Sequence, residues 1–392
     1  TGDKIGIESV DGFTRTFSDD SSGTGLGEGV IALLLKPLTH AIDDKDNIWG
    51  VIKGSAINQD GRSAGISAPN GDAQQKVLAK AWRNAGIVPR NLSYMEAHGT
   101  GTKLGDPIEV SAINAAFRQF TSDIGFCPIG SAKTNLGHLD SAAGLLGIVK
   151  TLLCLKNNLI VPSLFFNAPN PAIRFDGAVS VATSKQKWEG ENRLAGVSAF
   201  GLSGTNCHVV LESAPILEAS IDDQLEHYPF FLSAKTPYAL TLLIHKTIEW
   251  LKQSPRCFSQ DLSYTSIAGR AHFDFRIAVN FTDATSLITE LEKAINDNNA
   301  IDINNVDDVD SRSQETNITT NFLAGKTSFN ASEIPFSGHR ISMPGYAFEP
   351  QRCWTPIPES SADTIETPLT LEPEVSSIVL PEVELEGQCV SD

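Results

Sequence analysis

The sequence predicts an α/β protein: helices layered around a sheet over residues 1–213, a smaller α/β region over 229–358, and an extended tail. Three observations predict this. Short apolar runs alternate with helix-like segments through the first 213 residues, Gly-rich turns divide them, and the composition changes twice beyond that point.

In chain order, residues 94–97, 129–132, 179–182 and 194–199 read as short buried strands. Residues 72–84, 108–120 and 141–155 read as helices. In the second, Ile108, Ala112, Ala115 and Ala116 share one face at the 3.6-residue period. The third opens on Ala142-Ala143-Gly144-Leu145-Leu146-Gly147, small and apolar nearly all round, which predicts a buried helix. His208 falls inside a further alternating strand, and 214–228 reads as a linker. In the second region 233–253 predicts an amphipathic helix, 277–280 a strand and 284–295 a helix, with 296–320 a polar surface loop. Residues 359–392, a Pro, Glu, Thr and Val mixture without period, predict an acidic disordered linker.

Composition excludes several functions. At 392 residues, 41 % apolar and 20 % charged, the chain can bury one large or two medium cores. It holds no run of about 18 apolar residues, so no spanning helix is expected. The start, Thr1-Gly2-Asp3-Lys4, is not a secretory signal and lacks an initiator Met; it reads as a processed end or a piece of a longer chain. A net charge of −17 disfavours nucleic acid, although nine of the acids lie in 359–392 with no Lys or Arg, leaving the body about −8. Six scattered cysteines without a Cys-x-x-Cys pair argue against a zinc ribbon or disulfide framework, and point to a reducing cytoplasmic setting.

Of eight histidines, two stand where a strand runs into a Gly-rich turn. His98 follows Tyr94-Met95-Glu96-Ala97, and His138 closes Ser131-Ala132-Lys133-Thr134-Asn135-Leu136-Gly137. Ligands of α/β folds bind beyond the carboxyl ends of strands, so two histidines delivered there can face one crevice. Either histidine alone reads equally well as a satisfied structural residue. His208 reads as structural. The remaining Gly-rich turns have neither Walker nor dinucleotide spacing. Gly201-Leu202-Ser203-Gly204 is one residue short of a nucleophile elbow. Asp140-Ser141 looks like a phosphopantetheine attachment pair followed by the wrong sequence. His98, His138, Cys207 and His208 offer no tight ligand pair, so neither a metal nor a bound cofactor is expected.

These residues together resemble a known family. His98-Gly99-Thr100-Gly101-Thr102 with Gly105-Asp106-Pro107-Ile108-Glu109 resembles the first histidine motif of polyketide-synthase ketosynthases, and Lys133-Thr134-Asn135-Leu136-Gly137-His138 resembles the second. Ser198-Ala199-Phe200-Gly201-Leu202-Ser203-Gly204-Thr205-Asn206 is similar to their glycine-rich loop. Gly27-Glu28-Gly29, Asn58-Gln59-Asp60-Gly61 and Ala68-Pro69-Asn70-Gly71 match in the family's order. The resemblance covers about residues 1–213 and implies the C-terminal half of a thiolase-like α-β-α-β-α fold. It implies decarboxylative Claisen condensation, in which a cysteine thioester holds the acyl chain and a malonyl unit arrives on the phosphopantetheine of an acyl carrier protein. It further implies that His98 and His138 donate neutral Nε2–H groups to the nascent enolate, one also managing proton transfer. Lys133 would tune the pair, through an acid such as Glu109. The N–H of Leu202 would complete an oxyanion hole, Phe200 and Leu202 would line the acyl channel, and Thr100, Thr102 and Asn135 would support the site.

One element departs from the family. The nucleophile belongs to a Cys-Ser-Ser motif upstream of everything here, and no cysteine of this chain has that context. The missing N-terminal half would also supply most of the homodimer interface, so the chain alone is expected to condense nothing. Residues 229–298 resemble the ketosynthase-to-acyltransferase adapter, through Phe231-Leu232-Ser233-Ala234-Lys235 and Gly269-Arg270-Ala271-His272-Phe273. Residues 323–354, with Arg340-Ile341-Ser342-Met343-Pro344-Gly345-Tyr346-Ala347-Phe348, resemble the segment that follows an acyltransferase and wraps back over the ketosynthase. No acyltransferase fits between them, which implies a trans-acting acyltransferase or a degraded integral one. The alternatives to an elongating ketosynthase are a non-condensing, acyl-binding relative and an inactive truncated fragment.

Overall fold

Strands buried on both faces need apolar side chains throughout, and segments of that kind form the middle of one six-stranded sheet whose edge strand Gly50–Gln59 is more polar and more exposed. The computed structural model describes residues 7–62, 65, 68–216, 225–253, 258–296, 301–302 and 317–350. The larger part runs α1 (Leu38–Asp43), β1 (Gly50–Gln59), α2 (Gly71–Asn84), β2 (Leu92–Glu96), α3 (Gly105–Phe117), β3 (Cys127–Gly130), α4 (Lys133–Leu136) and α5 (Ala143–Asn157). It continues through β4 (Leu159–Ile160), β5 (Val179–Val181), β6 (Gln186–Lys187), β7 (Leu194–Phe200) and β8 (Thr205–Ser213). The sheet order is β1-β8-β7-β2-β3-β5. β7, β2, β3 and β5 are mutually parallel, while β8 runs antiparallel to both β7 and β1.

Side-chain alternation sends successive residues of β7 and β8 to opposite faces. Leu194 and Val210 join the buried core of α2 and α3, built on Val77, Trp82, Ile113 and Phe117. Ala195, Val197 and Leu211 join the core of α5, with Cys154 and Leu155. α2 begins where the Asn70 side chain accepts from the N–H groups of Asp72 and Ala73, at 3.1 and 3.3 Å. α3 starts three residues earlier than its apolar period suggests, because Thr102 Oγ1 accepts the Gly105 N–H at 3.1 Å and Pro107 needs no acceptor in a first turn. Its last residues, expected to reach 120, tighten instead into i→i+3 turns at Gln119 and Phe120.

The smaller part is a three-stranded antiparallel sheet, β11-β10-β9, with helices packed on it. Its elements are β9 (Tyr228–Ala234), α6 (Pro237–Gln253), α7 (Ser259–Ala268), β10 (Phe275–Phe281), α8 (Ala284–Asn296), β11 (Ile301–Asp302) and α9 (Asn317–Leu323). Residues 233 and 234, expected to open a helix, close β9 instead. Pro237 sets the start of α6, since a proline tolerates only the first turn. α7 was not legible as a helix: Leu262, Tyr264 and Ile267 are buried but so are Ser263, Thr265 and Ser266, leaving no apolar stripe. The end of α8, β11 and the first four residues of α9 fall in the span 296–320 expected to be loop, the rest of which lies outside the described residues, as do 351–358 and the acidic linker.

Residues 337–346 lie between the two sheets. His339 N–H donates to Asp261 Oδ1 at 2.7 Å and Ile341 N–H to Thr265 Oγ1 at 2.9 Å, both on α7. On the other side Arg340 N–H donates to Lys45 O at 3.0 Å, and its guanidinium reaches Asp44 O at 3.0 Å and ion-pairs with Asp46. Ser342 Oγ sits 2.8 Å from the Asn47 amide and 2.5 Å from Lys156 Nζ on α5.

Arg276 on β10 is fully buried. Its guanidinium donates to Phe273 O and Phe322 O at 2.5 Å each, to Lys326 O at 2.7 Å and to Gly325 O at 3.3 Å. It thereby satisfies carbonyls at the end of α9 that no helical N–H can reach. Arg276→Ala is expected to lower the unfolding free energy of the chain by about 3 kcal/mol, read as a fall in urea midpoint. Arg276→Lys should recover less than half of that loss, since an ammonium lacks the planar fork.

Candidate active site

β2 and β3 are parallel neighbours, so their carboxyl ends emerge side by side. His98 lies two residues beyond β2. α3 clamps the turn that carries it: Glu109 Oε1 accepts the His98 N–H at 2.7 Å and Oε2 the Gly99 N–H at 2.8 Å. Asp106, one turn earlier on α3, holds the next part of the loop by accepting from Gly101 N–H at 3.1 Å and Phe17 N–H at 2.7 Å.

His138 arrives from β3 by way of the single turn α4. That helix stops at Gly137, whose φ of 75° needs a residue without Cβ, and a Cβ there would also meet Leu26 backbone at 2.8 Å. The His138 backbone is then held on both sides, its N–H donating to Gly25 O at 2.7 Å and its carbonyl accepting from Gly27 N–H at 3.1 Å.

The two imidazoles meet edge to face, with ring centroids 5.6 Å apart and planes at 85°. Phe200, at the end of β7, packs against His98 with centroids 5.6 Å apart. Lys133 Nζ donates to His98 O at 2.5 Å and stands 3.4 Å from His98 Nδ1. An ammonium has no lone pair to offer, so that Nδ1 is the acceptor. His138 Nδ1 accepts from the Asp140 N–H at 3.0 Å. Asp140 makes this contact from a left-handed backbone at φ 48°, a conformation short polar residues tolerate better than most. Each ring thus has Nδ1 engaged and carries its proton on Nε2.

Burial dominates the electrostatics. It pushes His98 well below the usual imidazole range, with the Lys133 charge and His138 adding to the effect. It lowers His138 to about 4, again reinforced by Lys133 and only partly opposed by Asp140. Lys133 is itself lowered by burial, against the pull of Glu109, Glu96 and Asp106. Burial raises Glu109 and brings Asp106 up to about 7, opposed by the N–H groups each accepts. Both histidines are therefore neutral donors near pH 7.

The structure thus brings His98, His138, Lys133, Phe200 and Glu109 together. Glu109 holds the backbone of the His98 turn and makes no close ion pair with Lys133, while its charge still opposes, from a distance, the lowering of Lys133 by burial. Thr100 and Thr102, whose hydroxyls are 3.3 Å apart, brace the turn into α3. Asn135 is exposed on α4, and Leu202 is 58 % exposed at the tip of the β7–β8 turn. His208 lies elsewhere, with Nε2 accepting from Trp82 Nε1 at 3.1 Å and Nδ1 3.0 Å from Ser198 Oγ in the core. The Asp140 N–H was missed because a backbone amide leaves no mark in the residue type, and Asp106 because its partners are the peptide groups of Gly101 and of the distant Phe17. Cys127 and Cys154 are buried and Cys207 half-buried, and burial raises all three thiols, the reverse of what a nucleophile needs.

Two family models match the chain: the β-ketoacyl synthase C-terminal domain over residues 49–167 and the ketoacyl-synthetase C-terminal extension over residues 169–277. Polyketide synthase PksL of Bacillus subtilis is 34 % identical over 93 % of this chain, and erythronolide synthase EryA2 of Saccharopolyspora erythraea is 38 % identical over 72 %. The chain spans only 9 % and 8 % of those relatives. Among solved structures, the ketosynthase from module 6 of the Bacillus subtilis bacillaene synthase superposes with a TM-score of 0.80 at 32 % identity, over 90 % of this chain and 66 % of that one. An oxazolomycin ketosynthase domain from Streptomyces albus superposes with a TM-score of 0.79 at 29 % identity, over 90 % and 62 %. The sheet order, the paired histidines and these matches agree: the chain belongs to the ketosynthase family of polyketide synthases, and carries its C-terminal domain with the C-terminal extension.

Proposed function

We propose that this chain provides the decarboxylating half of a condensing β-ketoacyl synthase. The supporting observation is the tautomer pair: with both Nδ1 atoms engaged, each neutral ring has one N–H left to give, on Nε2. Two such donors suit a malonyl thioester that loses its carboxylate as carbon dioxide. The electron pair of the broken C–C bond moves into the adjacent C–C bond as charge develops on the thioester oxygen, which the two N–H groups stabilise. The enolate carbon then attacks the thioester of the growing chain and expels the cysteine thiolate. Neutral imidazoles serve because their donors are fixed before the charge forms.

The nucleophilic thiol comes, in this reading, from ketosynthase polypeptide outside this chain. No described cysteine has a lowered pKa, and the apolar side chains of Val30, Leu34 and Leu35 are 100 %, 98 % and 69 % exposed, as if awaiting cover. The oxyanion role of the Leu202 N–H and the acyl-channel role of Phe200 and Leu202 belong to the same proposal. The partners are an acyl carrier protein, whose phosphopantetheine delivers the malonyl unit, and a second copy in a homodimer. A trans-acting acyltransferase loads the extender. The similarity to PksL runs through nearly the whole chain, adapter and following segment included, whereas that to EryA2 covers under three quarters of it.

In the full-length ketosynthase, His138→Ala is expected to lower malonyl-carrier decarboxylation by about 10²–10³ while leaving acyl loading of the thiol intact. Decarboxylation at the wild-type rate would remove His138 from the mechanism. The pH dependence follows from the lowered histidine. His138 titrates at about 4 folded, against an ordinary value of 6.5. Between those values the unfolded chain takes up a proton that the folded chain refuses, so stability declines as pH falls through that window. The imidazole C2–H resonance of His138 should accordingly stay unshifted until the pH approaches 4; a midpoint near 6.5 would mean an imidazolium rather than a neutral donor.

A further inference from the structure

Beneath the histidine pair lies a second set of buried charges that the condensation does not consume. Glu96 closes β2 two residues before His98 and is 2 % exposed. Its Oε1 accepts the Ala132 N–H at 2.5 Å. Its Oε2 accepts the Tyr94 hydroxyl at 2.7 Å and lies 2.9 Å from Lys150 Nζ on α5. Lys150 is largely buried, its side chain 11 % exposed, and this carboxylate is its ionic partner. Gly147 makes room for the arrangement, since a Cβ there would meet Glu96 Cγ at 3.1 Å. Ala132 is the residue before Lys133. Apart from Glu96, the side-chain ties between this turn and the His98 loop are Ser131 Oγ, at 3.2 Å from Gly99 O and 3.4 Å from His98 O, and Lys133 itself.

We propose that Glu96 is a positioning residue for the histidine pair: its carboxylate, with Lys150 as counter-ion, bolts the turn that carries Lys133 to the strand end that carries His98. The proposal rests on the reading of His98 and His138 as enolate donors. The charged and titratable groups facing Lys133 are Glu109 and Asp106 from α3, Glu96 from β2, Lys150 from α5, and the imidazoles of His98 and His138. Among these Glu96 favours the protonated ammonium and Lys150 opposes it. The two members of one ion pair therefore act on Lys133 with opposite sign. A scaffold role alone would make their losses look alike.

The test uses the full-length ketosynthase and its malonyl-carrier decarboxylation. Glu96→Gln is expected to move the alkaline limb of the pH profile down by about half a pH unit or more, and Lys150→Met to move it up. Lys150→Arg, which restores the charge, should return the limb to its wild-type place. Limbs that move together, or that stay still while thermal stability drops, overturn the proposal. Either single change strands a buried charge and can prevent folding. The apolar pair Glu96→Leu with Lys150→Met strands none; it is expected to fold and to lose about tenfold in kcat with KM for the malonyl carrier unchanged. Wild-type kcat in that pair overturns the bolt directly. Failure of the donor reading shows elsewhere, as undiminished decarboxylation by His138→Ala.

Discussion

A buried ammonium with no carboxylate against it is an expensive feature, and the rest of the site depends on the one at Lys133. Its Nζ rests on the His98 carbonyl at 2.5 Å, and no acid lies within 4 Å of it among the described residues. The nearby carboxylates act from a distance, each tied up elsewhere: Glu109 and Asp106 by loop N–H groups, Glu96 by the Ala132 N–H and Lys150. A close ion pair would cancel the lysine's field. Held apart, the charge remains felt at both imidazoles, where it joins burial in keeping them unprotonated. The acids of the motif thus serve the backbone, and the positive charge serves the histidines.

The fold class and the histidine pair were legible because both leave marks on residue type. Fully buried strands read as apolar runs, and His98 and His138 stand in long motifs with the family's spacing. What escaped had no such mark. The tautomer of His138 depends on the Asp140 amide, which any residue would supply if it could adopt φ 48°. α7 has no stripe because its polar side chains are buried with the apolar ones, satisfied by partners far away in sequence, such as Ser263 Oγ on Pro229 O. The helix expected from residue 233 starts instead at Pro237, because Ser233 and Ala234 close β9 and the polar Lys235 and Thr236 make the turn between the two. Asn135 and Leu202, which belong to the family's motifs, are both exposed in this chain.

The two sheets have separate cores, and a ten-residue segment packs Ile341, Met343 and Tyr346 on the smaller one and reaches the larger part by polar contacts. Residues 337–346 offer α7 their N–H groups and offer the larger part a guanidinium and a serine hydroxyl. Charged and hydroxyl contacts of this kind fix register more than they add stability. They seat Arg340 over the turn after α1, a helix too short to carry an apolar period of its own.

The paired backbone bonds from His138 to Gly25 and Gly27 carry a consequence of their own. A reacting group is usually thought of as placed by its immediate neighbours, but this imidazole is registered against peptide units more than a hundred residues away. A one-residue slip along that pairing would present the opposite side of the extended backbone and carry the ring away from its companion. The glycine-rich stretch around residue 25 is thus a ruler for the chemistry, fixed in side chain as well as in length, since a Cβ on Gly25 or Gly27 would meet a backbone oxygen at 1.9 or 2.0 Å.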